Sequence, residues 1–247
     1  MALFLIVPVA VTACNGGEPS ASPTAQPAPR VFAAASLREV FPRIDGAPAY
    51  NFAGSNQLQL QIERGAPADV FASASPTEAQ ALFRAGRCSR PVTFATNVLV
   101  LLVPNANPGH VRSVDSLRSD RRRLAIGAAG VPIGAYTRRI LARLHLSSIL
   151  RTNTVSNEAN VSGIVSKVAL GSADAGFAYV TDGRVAADRV NAIQLPRGAQ
   201  PPVRYQICAV KRPGADTAGA SAFIEQVTTS QGRSVLARAG FGVPPRG

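Results

Sequence analysis

From residue 31 onward, short apolar runs alternate with longer stretches whose apolar positions recur every three or four residues. An unbroken or alternating apolar run marks a strand, and a 3.6-residue period marks a helix. The runs at 31–35, 50–53 and 69–74 read as strands. Helical patterns follow them, one opening at Leu37, one over 57–64 stopped by Gly65, and one over 76–85 stopped by Gly86. Residues 97–103, NVLVLLV, are apolar almost throughout, as in a strand buried on both faces of a sheet. Further strands are expected at 124–128, 175–180, 192–195 and 205–210. Helices are expected at 133–144, where Pro132 sets the first turn, at 161–170 closed by Gly171, and at 217–239 closed by Gly240. Repeated strand–helix alternation predicts an α/β architecture of mostly parallel sheets with flanking helices. No internal repeat is visible.

The first thirty residues follow a different pattern. Residues 2–13 are apolar and carry no charge, and the first ionisable side chain is Glu18. The run is shorter than the ~20 residues that cross a bilayer and reads as the hydrophobic part of a secretion signal. It ends in Val11-Thr12-Ala13-Cys14, which resembles the lipobox of bacterial lipoproteins, so 1–14 is expected to be a lipoprotein signal with Cys14 lipidated. The basic residues that usually open such a signal are missing, which keeps a plain secretory signal as the alternative. Residues 15–30, rich in Pro, Ser, Ala and Gly, read as a flexible tether.

Composition narrows the function. The 247 residues carry a net charge of +12 although only 16% are charged. The basic residues are arginines apart from Lys167 and Lys211, and they are scattered except at Arg121-Arg122-Arg123 and Arg138-Arg139. Few aromatic residues lie among them to stack bases, and no nucleic-acid module is recognisable, so no nucleic-acid partner is expected. A positive field would still gather small anions. Catalytic signatures are missing as well. His110 lies in the loop PNANPGH, His145 ends a helix, and there is no GxSxG, P-loop or Cys/His cluster. Asp69 and Asp174 could imitate paired acids but sit at ordinary strand starts. We therefore expect no enzyme, no cofactor and no metal cation. Cys88 and Cys208 form an even pair in an exported chain, which favours a disulfide slightly over two buried thiols.

In α/β folds, ligands sit beyond the carboxyl ends of strands, where helix N-termini present unpaired N–H groups. Four such junctions carry donors: Ala33-Ala34-Ala35-Ser36-Leu37, Phe52-Ala53-Gly54-Ser55-Asn56, the segment from Gly130 to Tyr136 around Pro132, and Asn157-Glu158-Ala159-Asn160-Val161. Tyr179 ends a fifth strand with a phenol. Taken singly, each has a plainer explanation. Ser36 with Glu39 forms a capping-box pattern, Ser55 could cap its helix, and Tyr179 could be a core tyrosine with a local partner.

Taken together, these segments resemble the periplasmic molybdate-binding protein family of ABC importers. The matching pieces are FAAASL (32–37), FAGSNQLQLQIERGAPADVFASAS (52–75), NVLVLLVP (97–104), VPIGAYTRRIL (131–141), NEANVSGIVSKVALGSADAGFAYVTD (157–182) and SVLARAGF (234–241). The resemblance implies a two-lobed type II periplasmic-binding-protein fold with the ligand cleft between lobes, lobe 1 at 31–95 and 206–247 and lobe 2 at 96–205. It implies a molybdate or tungstate ligand held by the hydroxyls of Ser36, Ser55 and Tyr179 and the backbone N–H groups of Ile133 and Val161. It also implies delivery to an ABC importer permease, and with the Cys14 reading the receptor is expected to be an exported monomer, lipid-anchored on the outer face of the cytoplasmic membrane or else periplasmic, with the lipid anchor its one membrane attachment. A sulfate- or phosphate-type receptor is the nearest alternative, and a basic polyanion-binding surface lipoprotein is a more distant one.

Overall fold

The computed structural model describes residues 28–119 and 122–244. The expected signal segment, Cys14 and most of the tether lie outside the described residues. The first lobe opens with β1 (Arg30–Ala34), a short turn of 3-10 helix (Ala35–Leu37), α1 (Phe41–Ile44), β2 (Ala49–Ala53), α2 (Ser55–Glu63), β3 (Val70–Ser73), α3 (Pro76–Arg84) and β4 (Val92–Asn97). Val98 carries the chain across to β5 (Leu99–Pro104) in the second lobe. There follow β6 (Leu124–Gly127), α4 (Pro132–Arg143), α5 (Ile149–Thr152), β7 (Thr154–Glu158), α6 (Val161–Ala169), β8 (Ala175–Tyr179), α7 (Val180–Val185) and β9 (Val190–Gln194). The chain then returns through residues 195–202 to β10 (Val203–Ala209), α8 (Thr217–Thr228) and α9 (Ser230–Arg238).

Two five-stranded sheets result, in the orders β2-β1-β3-β10-β4 and β7-β6-β8-β5-β9. The two-lobed α/β class agrees with the expectation, but the sheets are mixed rather than mostly parallel. β1 pairs in parallel with β2 and β3, as β6 does with β7 and β8, whereas β10 and β5 each run antiparallel to both neighbours. The reason is topological. β5 and β10 are the strands that arrive from the other lobe, so they enter from the crossing and run against strands whose carboxyl ends point to it.

Other differences have local causes. The apolar run at 97–103 is cut at Val98, because Asn97 closes β4 in one sheet and Leu99 opens β5 in the other. β7 escapes a hydrophobicity reading because it is an edge strand of sequence TVSNE with no fully buried residue. The tail is two helices, separated where the Thr229 hydroxyl accepts the Gly232 N–H at 3.2 Å and caps the second.

Both lobes share a continuous apolar core. Near the crossings it is aromatic: the ring of Tyr205 meets Phe94, Tyr179 and Phe241 at centroid distances of 6.1, 5.8 and 5.4 Å. Asp69 and Asp174 are structural ties, one per lobe, and do not face each other as an acid pair. Asp69 pairs with Arg212 at 2.5 Å and accepts the Arg30 N–H, and Asp174 pairs with Arg123 at 2.8 Å and accepts the Arg123 N–H. Each fixes the chain at the start of a central strand. Cys88 and Cys208 lie in a separate small cluster as free thiols, packed as small apolar side chains, and the Cys88 thiol donates to the Ala79 carbonyl at 3.8 Å.

Candidate functional site

The carboxyl ends of β1, β2, β6, β7 and β8 converge between the lobes. There they enclose a cavity of about 20 Å³ whose lining includes Ser36, Ser55, Ile133, Val161 and Tyr179. All five residues singled out in the sequence therefore face one space, the first two from lobe 1 and the other three from lobe 2. Drug-sized ligands occupy pockets of roughly 300–1,000 Å³, so this cavity suits an ion of a few atoms.

The plainer explanations of the three hydroxyls do not hold. The residue preceding the Ala35–Leu37 turn is Ala34, and the buried Ser36 hydroxyl lies 2.9 Å from the Tyr205 hydroxyl instead of capping anything. Gly54 occupies the cap position of α2. The Ser55 Oγ, 1% exposed, accepts the Ala74 N–H at 3.1 Å, which leaves the Ser55 proton free to point into the cavity. Tyr179 is 1% exposed and its hydroxyl has no hydrogen-bond partner among the described residues. An unpaired buried hydroxyl costs about 1–3 kcal/mol, so this phenol is held ready for something other than the fold. Burial raises the Tyr179 phenol well above its ordinary value, so it stays protonated and can donate.

The backbone supplies further donors. Ile133 is the second residue of α4 and Val161 the first of α6, positions whose N–H groups have no partner within the helix. Pro132 at the first position of α4 has no N–H to lose and presets the turn. The Asn160 side chain caps α6 by accepting the Gly163 N–H at 3.3 Å, which leaves Val161 to face the cavity. The positive ends of α4 and α6 thus both face the same point.

The lobes close tightly over the cavity. A Cβ on Gly54 would stand 2.4 Å from the Ala159 carbonyl oxygen of the other lobe, so only glycine permits this approach. A Cβ on Gly134 would stand 2.1 Å from the Ala128 oxygen, so glycine there lets α4 begin directly above the end of β6. The Tyr136 hydroxyl donates across the cleft to the Ala74 carbonyl at 3.4 Å. Among the described residues no charged side chain lines the cavity. Asp182, which accepts the Tyr179 N–H at 3.2 Å, is pushed by burial up to about 7.

Sequence reasoning missed Asn97, Tyr205 and the Ala74 peptide. Tyr205 sits in an ordinary apolar strand, and nothing in its neighbours signals that its hydroxyl would reach Ser36, 169 positions away. His110 and His145 do not line the cavity. Among the described residues no cluster of His, Cys, Asp or Glu could hold a metal ion.

Two lobes, two crossings and a donor-lined cleft between them define a solute receptor by architecture. Residues 30–242 match the bacterial extracellular solute-binding protein family, and the chain belongs to it. A relative with 35% identity is the molybdate-binding protein ModA of Mycobacterium tuberculosis, the alignment covering 95% of this chain and 93% of that one. The molybdate-binding protein ModA of Haemophilus influenzae is 28% identical, with 85% and 88% covered. Among solved structures, the periplasmic molybdate-binding protein of Azotobacter vinelandii superimposes with a TM-score of 0.77 at 24% identity, covering 87% of this chain and 99% of that one. The sulfate-binding protein SubI of Mycobacterium tuberculosis gives 0.73 at 15% identity, covering 86% and 85%. The structural likenesses establish the fold, and the family resemblance read from the sequence is borne out by the family match and the mycobacterial relative.

Proposed function

We propose that the protein is the extracytoplasmic substrate-binding component of an ABC importer. It captures molybdate, and tungstate with it, through neutral hydrogen-bond donors. The observation that carries this reading is that Tyr179, whose buried hydroxyl is unpartnered among the described residues, lines a cavity of about 20 Å³ together with Ser36, Ser55 and the starts of α4 and α6. A tetrahedral dianion without protons offers only acceptors, and the lining offers donors. Hydrogen bonds to a charged group contribute about 1.5–3 kcal/mol each. Five of them supply enough for the ~8 kcal/mol of micromolar binding after part is lost to association. Because no buried arginine or lysine is left unpaired when the ion departs, release to the importer carries no extra electrostatic cost.

Lipidation of Cys14 would keep the receptor at the outer face of the membrane, with residues 15–30 as its tether. The same reading takes the protein as a monomer whose lobes close by a hinge motion at the two crossings, with no catalytic step.

Titration calorimetry with molybdate, tungstate, sulfate and phosphate tests the assignment. Molybdate and tungstate should bind with a stoichiometry near one, at least tenfold more tightly than sulfate, and with weak dependence on salt. An affinity that collapses between about 50 and 200 mM salt would indicate a basic surface site instead. Tighter binding of sulfate or phosphate would move the assignment to the neighbouring receptor class.

A further inference from the structure

The Ser36 hydroxyl belongs to a buried chain of hydrogen bonds that runs away from the cavity toward the first crossing. Its partner, Tyr205, is fully buried, and Asn97, at the end of β4, is 6% exposed. The Asn97 Oδ1 accepts the Val98 N–H at 2.9 Å, which orients the amide. The Asn97 Nδ2 then lies 3.0 Å from the Thr181 Oγ1 and 3.4 Å from the Tyr205 hydroxyl.

The polarity of this chain follows from the inventory of protons. An amide NH₂ can only donate, so at that contact the Tyr205 oxygen accepts. The Tyr205 proton is left for its other partner, the Ser36 Oγ at 2.9 Å. Ser36 accepts there, and its own proton is directed toward the cavity. The rings of Phe94, Tyr179 and Phe241 surround Tyr205, so its hydroxyl cannot swing to another partner. Ser55 is set the same way by the Ala74 N–H. The difference is that Ser55 is fixed by backbone, whereas Ser36 is fixed by two side chains that can be changed.

We propose that Tyr205 and Asn97 are positioning residues that lock Ser36 as a donor toward the bound anion and thereby favour anions that carry no proton. Hydrogen phosphate has the same charge as molybdate but brings a P–OH that needs an acceptor, and a Ser36 locked with its own proton toward the anion meets that P–OH donor to donor. Because Thr181 belongs to the second lobe, the same chain ties the donor state of Ser36 to the packing of the two lobes. This inference rests on the oxyanion-receptor reading and concerns how that site discriminates.

The test compares wild type, Tyr205→Phe and Asn97→Asp, measuring affinity for molybdate and for phosphate at pH 8 or above. There both anions are dianions, so general charge effects cancel in the ratio. Tyr205→Phe frees the Ser36 hydroxyl to turn. Molybdate should weaken roughly tenfold, as for loss of one oriented donor, and the molybdate-to-phosphate ratio should fall by at least severalfold. Asn97→Asp replaces a donor by an acceptor. It draws the Tyr205 proton away from Ser36 and should lower the ratio further. Thermal melts accompany both variants, and Tyr205→Phe, which keeps the ring packing, carries the test if Asn97→Asp does not fold. Equal weakening for both anions, with the ratio unchanged, would reduce the chain to a structural role and overturn the proposal. Failure of the wild type to bind any oxyanion would instead remove the receptor reading itself.

Discussion

Removing the Tyr179 hydroxyl should have two effects of opposite sign. Tyr179→Phe keeps the ring, which packs against Tyr205 at 5.8 Å and 63°, and deletes only a buried oxygen that has no partner among the described residues. Without ligand, the change relieves an unsatisfied polar group worth about 1–3 kcal/mol. In a domain of this size each kcal/mol moves the melting midpoint by about 2–4 °C, so the ligand-free variant should melt several degrees higher. With ligand, a hydrogen bond to a dianion is lost. At about 1.5–3 kcal/mol that corresponds to a roughly 10- to 150-fold weaker affinity. Calorimetric titration and scanning calorimetry on the same preparations read both effects. A variant that binds molybdate as tightly as wild type, or that melts lower without ligand, would refute the reasoning, since Tyr179 would then be serving the fold.

Three other perturbations follow from the same geometry. Gly54→Ala should leave each lobe folded but hold them apart, because the added carbon meets the Ala159 oxygen at 2.4 Å. Small-angle scattering should show no compaction on adding molybdate, and affinity should fall at least tenfold. Asp182 is raised from the ordinary 3.8 to about 7 by burial, so the folded state binds a proton that the unfolded state does not. Its contribution is present at low pH and lost as pH rises through about 7. Asp182→Asn should flatten that decline and be relatively more stable at pH 8 than at pH 4 in denaturant titrations. We also propose that Cys88 and Cys208, neighbouring thiols in the structure, become bridged in the oxidising exterior. Reductant should then lower the stability of exported protein by up to about 4–5 kcal/mol. Two titratable thiols in exported, denatured protein, and no response to reductant, would contradict it.

The parts of this account legible in sequence are those written in local pattern. Glycine stops, Pro132 at a helix start and small-residue turns after apolar runs located most strands and helices and marked the four junctions and Tyr179, and the family resemblance then picked the five ligand residues out of them. Strand direction was not legible, because β5 and β10 look like any buried strand and only the crossings reverse them. β7 was hidden by its polar edge position. The Ser36–Tyr205–Asn97 chain was hidden for a different reason: its contacts span 108 and 169 positions in sequence, and each member reads locally as strand or turn. The composition pointed only weakly to the site. A net charge of +12 suggests a field that gathers small anions, yet among the described residues no charged side chain lines the cavity.

The central claim concerns position, and anomalous scattering locates molybdenum directly. Crystals grown with molybdate should show a single strong peak inside the interlobe cavity, with its oxygens within hydrogen-bond distance of the hydroxyls of Ser36, Ser55 and Tyr179 and the N–H groups of Ile133 and Val161. A peak among surface arginines, with the cavity free of molybdenum, would contradict the account.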